Sequence, residues 1–258
     1  MTEKLKFAAA SHVGLVRENN EDSYAIVYPG VGYPLALILA DGMGGHSKGE
    51  VASRIAVEFI ASFLREDLVT PRSLADIGKR LPELIKKANI KVYLASLDHE
   101  ENRGMGTTLT TLVIKNDRLT FAHIGDCRAY LLHNNILKQL TIDHTLVQEM
   151  VDAGSLTAEE TQNHPRRNVL TRALGFPEFI SPDVAQVPVA AGDTIILCSD
   201  GLHGFVPDQA IARFAQAAES PEQLVDQLIQ AALSAGGEDN VTILAVQVKM
   251  IDTMEGQS

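Results

Sequence analysis

Seven consecutive residues, Pro34 to Ala40 (PLALILA), carry no polar side chain, and the next is Asp41, followed by Gly42, Gly44, Gly45 and Gly49. Such a run reads as a core strand bounded by turn residues. Its end places a carboxylate among glycines where the chain leaves the core. The pattern recurs. DTIILCS runs into Asp200-Gly201, RLTFAHIG into Asp126, and NVTILAVQV is preceded by Asp239 in GGEDN. Glu21 and Asp22 stand just before another strand candidate, YAIVY.

A single aspartate at a strand end is ordinarily a turn former or a helix cap. Several are a different matter, because strands of one core can bring their ends to one rim. Gathered anions repel, and each half-buried one is costly without a compensating cation. The chain offers few fixed cations beside them, so a metal ion is the natural compensation. The donors are oxygens, with no Cys or His pair at ligand spacing, which selects hard cations, Mg²⁺ or Mn²⁺. Gly42 has no Cβ to keep its backbone carbonyl from a metal. Two such ions lower the pKa of a shared water and neutralise a phosphoryl oxygen. The reaction class is metal-assisted hydrolysis, with phosphate esters the obvious substrate. Arg17, four positions before Glu21, suits a phosphate through paired donors. The same spacing also suits a plain salt bridge.

The bulk properties narrow the partners. The chain has 258 residues, 45% of them hydrophobic, enough for a sizeable core. A net charge of -11 disfavours nonspecific nucleic-acid binding and docking on anionic lipid. The apolar runs are far shorter than the roughly 18 residues of a membrane span. The run near the N-terminus is too short for a secretory signal. A soluble, cytoplasmic protein is expected. Cys127 and Cys198 are the only cysteines, which excludes a disulfide framework.

Helical periodicity is clear in KGEVASRIAVEFIASFL, where Val51, Ile55, Phe59 and Phe63 share a face. SLADIGKRLPELIKKANIKVYLASL predicts a second helix, with a break expected before Pro82. HTLVQEMVDAG predicts a third, closed by Gly154. SPEQLVDQLIQAALSAGG predicts another, with Ser220 as N-cap and Pro221 at its first position. TAEE, from Thr157, reads as a capping box. RLTFAHIG, RAYLLH and ILKQL follow at short intervals, the rhythm of an antiparallel meander. Grouped helices and strands favour α+β over a doubly wound sheet. The polar stretch TQNHPRRNVLTRALG reads as a surface insertion.

At this point eight segments in order resemble one family: RENNED, LADGMGG, GMGTT, AHIGDCRAYLL, DHTLVQ, VLTRALG, ILCSDGL and GGEDNVT. The chain resembles the bacterial type-2C metal-dependent Ser/Thr protein phosphatases from about Phe7 to Val248. The resemblance implies two antiparallel sheets packed face to face with antiparallel helices on each outer side. It implies one catalytic domain over residues 1–250, a mobile flap at about 155–174 and a frayed tail at 251–258. It implies two Mg²⁺ or Mn²⁺ ions and a metal-bridging water as nucleophile, with no phosphoenzyme. Asp41 resembles the carboxylate that bridges the ions, and Gly42 gives one its carbonyl. Asp200 and Asp239 resemble ligands of the other, and Glu21 and Asp22 act largely through metal-bound waters. Asp126 matches a residue that, with Asp200, helps hold a third ion in bacterial members. Arg17 resembles the arginine that grips the substrate phosphate.

The implied substrates are proteins phosphorylated on Ser and Thr, with a cognate Ser/Thr kinase as the opposing partner. A monomer is expected. Two rivals are a non-catalytic phosphoprotein-binding scaffold and a phosphoesterase acting on a small molecule. The first should have lost ligands, yet Asp41, Asp200 and Asp239 are all present. Met43 stands where many eukaryotic relatives carry a general-acid histidine, and His46 is a weak substitute. Cys127 replaces a serine common in the family's GDSR and adds an oxidisable thiol. His144 reads as a packing or hydrogen-bonding residue.

Overall fold

The computed structural model describes residues 4–30, 34–44, 48–68, 77–161, 164–177 and 179–251. His46 and the tail beyond residue 251 lie outside the described residues.

The strands are β1 (Leu5–His12), β2 (Asp22–Val27), β3 (Leu35–Met43), β4 (Gly106–Thr107), β5 (Leu109–Lys115), β6 (Arg118–Ile124), β7 (Arg128–His133), β8 (Ile136–Gln139), β9 (Asp183–Pro188), β10 (Thr194–Cys198) and β11 (Val241–Val248). The helices are α1 (Gly49–Asp67), α2 (Ile77–Asp98), α3 (Leu146–Asp152), α4 (Ala158–Thr161), α5 (Asp200–His203), α6 (Asp208–Ala217) and α7 (Pro221–Ser234). The strands form two sheets, in the orders β1-β11-β10-β7-β8 and β2-β3-β5-β6-β9, with β4 paired to β3. All the pairings between these strands are antiparallel.

The apolar run of β3 now has its reason. Leu35, Leu37 and Leu39 enter the core between the two sheets, where they meet residues such as Leu131, Leu197 and Leu244. Ala36, Ile38 and Ala40 point the other way and pack under α1 and α2, against Ala56, Ile60 and Ile85. A third apolar layer joins β10 and β11 to α6 and α7 through Ile196, Ile243, Ile211 and Leu228. A strand buried on both faces carries few polar residues, so the usual alternation vanishes. The layers run α–β–β–α, as the sequence implies. Leu37 is fully buried in the intersheet core, in register with Leu112. Leu37→Ala is expected to cost about 2–5 kcal/mol in urea unfolding. A cost below about 1 kcal/mol would contradict that packing.

Three expectations need correction. The anticipated meander is broken, because β6 and β7 belong to different sheets. The chain crosses between layers at Gly125-Asp126-Cys127, where Gly125 takes φ +108°. That backbone conformation favours glycine, and it turns the chain into the other sheet. Only β8 continues beside β7. Second, α2 runs unbroken through Pro82. The hydrogen bond that Pro82 forfeits falls on Gly78, in the first turn of the described helix, and Leu81, Leu84, Ile85, Ala88 and Val92 bury the apolar face beyond it. Third, Cys127 is fully buried, and burial holds its thiol well above the ordinary value. It is an inert core residue, against the expectation of an oxidisable thiol.

The caps at Ser220, Thr157 and Gly154 match the sequence, and Thr145 caps α3 without having been singled out. Thr145 accepts from Gln148 N and Ser220 from Gln223 N. Thr157 and Glu160 exchange both bonds of the capping box. Gly154 closes the α3 region at φ +70°. Strand β9 and helix α6 were not anticipated. β9 is an outer strand, largely exposed, and shows no clean alternation.

Candidate metal centre

The antiparallel pairing sets the site. Asp22 opens β2 and Asp41 lies near the end of β3, and the two are register partners. In the other sheet Asp200 follows the end of β10, and Asp239 precedes the start of the adjacent β11. Asp41, Asp126, Asp200 and Asp239 line one cleft of about 240 Å³, with Arg17, Glu21 and Gly42 also in its wall. Asp22 stands beside them through its pairing with Asp41. The structure thus brings together every residue that the sequence singles out for the site.

The GMGTT segment fixes Asp41. Thr108 N and Thr107 Oγ1 donate to the Asp41 carbonyl at 2.9 and 2.8 Å, and Asp41 N donates to Thr108 Oγ1 at 2.8 Å. Gly42 N donates to the Glu21 carbonyl at 3.1 Å. A Cβ on Gly42 would run into the Gly49 and Glu21 carbonyls, so glycine is dictated by close backbone approach. Ser199, just before Asp200, donates to Asp22 Oδ2 at 2.8 Å. Asn240 ties in the segment before β2, with Glu21 N donating to its Oδ1 at 2.8 Å. The sequence reading missed Ser199 and Asn240, although each adjoins a singled-out aspartate.

His144, as the sequence suggests, has a hydrogen-bonding role. Its Nδ1 accepts from Gly125 N at 3.1 Å, so in the neutral ring Nε2 carries the proton and donates to Asp183 Oδ2 at 3.1 Å. It thereby steadies the turn that presents Asp126. His203 Nε2 donates to the Asp126 carbonyl at 2.9 Å from the other side.

The carboxylates are under electrostatic stress. Asp41 is held well above the usual carboxylate range, first by burial and then by repulsion from Asp22, Asp200, Asp126 and Asp239. Burial raises Asp22 to about 7 and Asp200 to about 6, with repulsion from Asp200 and Asp239 respectively adding to it. Asp126 is raised by burial and by Asp200, and Glu21 by burial and by Glu50. Asp22 Oδ1 is buried with no hydrogen-bond partner. The raised carboxylates and the orphaned acceptor mark places where positive charge is wanted.

Arg17 supplies one such charge. Its Nη2 donates to Asp239 Oδ2 at 2.8 Å, with about half the side chain exposed. The plain salt bridge therefore exists, and the guanidinium also lines the cleft. Among the described residues, no three His, Cys, Asp or Glu side chains form a ready-made cage for one ion. That arrangement suits a hard cation that keeps several waters and takes only one or two carboxylates from protein. The donor set of carboxylates plus a backbone carbonyl fits Mg²⁺ or Mn²⁺ in type.

Two facing antiparallel sheets with a carboxylate-lined cleft at one rim define a protein built to concentrate cations beside an arginine. Comparison with known proteins gives that class its family. The family model for protein phosphatase 2C matches residues 12–235. The chain is 37% identical over 234 residues to the serine/threonine phosphatase stp of Listeria monocytogenes, covering 91% of this chain and 92% of that one. It is 41% identical over 254 residues to the serine/threonine protein phosphatase PstP of Mycobacterium tuberculosis, covering 98% of this chain and 46% of that one. The crystal structure of the PstP catalytic domain in complex with two manganese ions superposes with a TM-score of 0.82, at 38% identity, covering 95% of this chain and 98% of that one. This chain belongs to the protein phosphatase 2C family.

Proposed function

We propose that the protein is a metal-dependent phosphatase that hydrolyses phosphoserine and phosphothreonine in proteins. One observation carries the reading: five aspartates from two sheets meet at one rim with their pKa values raised or their partners shared, beside a half-exposed arginine. Mg²⁺ or Mn²⁺, held as two ions and with Asp126 and Asp200 offering a third position, would supply the positive charge that activates water and polarises the phosphoryl oxygens. Asp41 and the Gly42 carbonyl hold one side of the centre, and Asp200 and Asp239 the other. Glu21 and Asp22 complete the acidic surround. Arg17 grips the phosphoryl oxygens with donors not used on Asp239, since a guanidinium carries five N–H groups. Thr107 and Thr108 keep Asp41 from moving as charge develops, which is where preorganisation lowers a barrier.

The phosphatase domain spans residues 1–250. Its segment 155–174 acts as a flap that governs substrate access, supported by Asn168 and Leu170 in the cleft wall. A cytoplasmic location and an opposing Ser/Thr kinase follow from the substrate class. Among the described residues no helix is long and apolar enough to cross a membrane.

Kinetics on a phosphothreonine peptide and on p-nitrophenyl phosphate with Mn²⁺ test the reading. Turnover of both is expected, and a metal-loaded protein inert on both would favour the scaffold alternative. Arg17→Ala should raise KM for the peptide about tenfold with a smaller effect on kcat, as loss of a binding contact does. An unchanged KM would remove Arg17 from the site.

A further inference from the structure

The segment that carries Arg17 runs between β1 and β2 without regular structure. One buried side chain holds it. Asn240 Nδ2 donates to the carbonyls of Val13 and Asn19, each at 2.9 Å, and Asn240 Oδ1 accepts from Glu21 N at 2.8 Å. Asn240 is 5% exposed. Both amide donors are spent on two carbonyls that flank Arg17, four residues before it and two after. The amide therefore closes the loop at its base with the arginine between the tied ends. Leu15 N adds a bond to the Gly237 carbonyl at 2.7 Å.

The neighbouring residue completes the arrangement. Asp239 Oδ1 accepts from Asn240 N at 2.9 Å, and its Oδ2 takes the Arg17 guanidinium at 2.8 Å. Asp239 and Asn240 thus hold the same loop twice, by the arginine's head and by its backbone. An arginine on an untethered loop would lose freedom of loop and side chain on meeting a phosphoryl group, and that loss weakens binding. Shape and chemistry also single out asparagine here. Aspartate would turn a carboxylate toward two carbonyls, and alanine would leave two carbonyls and an N–H unpaired.

We propose that Asn240 is a positioning residue for Arg17, fixing the Val13–Asn19 loop so that the guanidinium stands ready in the cleft and sets the affinity for the phosphoryl group. The inference rests on the reading of Arg17 as the phosphate-binding residue.

The test is a double-mutant cycle on the full chain with Mn²⁺. KM for a phosphothreonine peptide and the competitive inhibition constant of inorganic phosphate are measured for wild type, Arg17→Ala, Asn240→Ala and the double variant. Each single change should raise both constants about tenfold. The double variant should be no worse than the worse single one, since an absent guanidinium has nothing to position. Hydrogen exchange in metal-free protein should accelerate at the amides of residues 13–20 in Asn240→Ala. Effects that multiply to about a hundredfold would overturn the inference, because Asn240 would then act elsewhere. So would Asn240→Ala constants within twofold of wild type while Arg17→Ala raises them. If Arg17→Ala itself changes neither constant, the reading of Arg17 fails, and that result is separately visible. Should Asn240→Ala fail to fold, Asn240→Asp keeps the acceptor for Glu21 N, loses the two tethers and adds a charge, so its effect is compared in the Arg17 and Arg17→Ala backgrounds, where repulsion alone acts equally. It should raise both constants in the same way, and wild-type constants there would equally overturn the inference.

Discussion

Replacing Asp41 by asparagine should lower kcat/KM on a phosphothreonine peptide about a thousandfold or more, while the metal-free protein becomes more stable. The two effects share one cause. Asp41 feels repulsion from Asp22, Asp200, Asp126 and Asp239. Asparagine has nearly the same shape and cannot ionise, so at a pH where Asp41 is ionised it removes the central charge. The Thr107 and Thr108 bonds are to the Asp41 backbone, so they survive the change. Metal charge supplies several kcal/mol of transition-state stabilisation, and each 1.36 kcal/mol is about tenfold in rate. Losing about 4 kcal/mol gives about a thousandfold. Relief of repulsion in the metal-free state should raise its melting temperature, by about 2–4 °C for each kcal/mol gained in a chain of this size. Sites kept for function commonly show this trade between stability and activity. A variant within tenfold of wild-type kcat/KM, or one with an unaltered metal-free melting temperature, would remove Asp41 from the centre.

Much of this was legible because the local rules and the fold agree. The cap at Ser220 and the capping box at Thr157 are short-range chemistry, and each is found where the residues place it. The aspartates were legible because a carboxylate after a strand without polar residues is expensive unless it has a task. What escaped was long-range. Whether β7 follows β6 in one sheet depends on the φ of Gly125, which no periodicity reports. Ser199 reaches Asp22 across 177 positions of chain, and Asn240 reaches Val13 across 227. Such contacts are set by which strand ends meet, so the sequence shows the residue and hides its partner. Arg17 is the intermediate case. Spacing left a salt bridge and a phosphate contact equally open. The fold adds that the salt bridge is real and that its acceptor is itself one of the cleft aspartates.

Removing divalent cations should abolish turnover, and it should also reshape how stability depends on pH. In the metal-free fold Asp22 is raised to about 7 and Asp200 to about 6, and burial and neighbouring carboxylates also hold Asp41 and Asp126 well above the ordinary range. An unfolded chain releases these protons near about pH 4. The folded state therefore holds extra protons above that point, and the stability they confer is lost as pH rises through the folded values. Buried histidines work in the opposite sense. His123 is lowered to about 4 and His203 to about 3, chiefly by burial, so their contribution is present above about pH 6.5 and is lost as pH falls below it. The two trends oppose each other between about pH 4 and 6.5. As pH rises past about 6.5 the unfolded histidines lose their last protons, and the carboxylates come to set the trend. With EDTA present, the melting temperature should accordingly fall between about pH 6.5 and 8. Cations bind the deprotonated groups, so added Mn²⁺ should stabilise more at pH 8 than at 6.5. At a hundredfold excess over its dissociation constant, one ion contributes about 2.7 kcal/mol, or roughly 5–10 °C here. Activity should return with Mn²⁺ or Mg²⁺ after chelation. A melting temperature indifferent to Mn²⁺, or a metal-induced rise that is no larger at the higher pH, would mean that these aspartates do not share a cation.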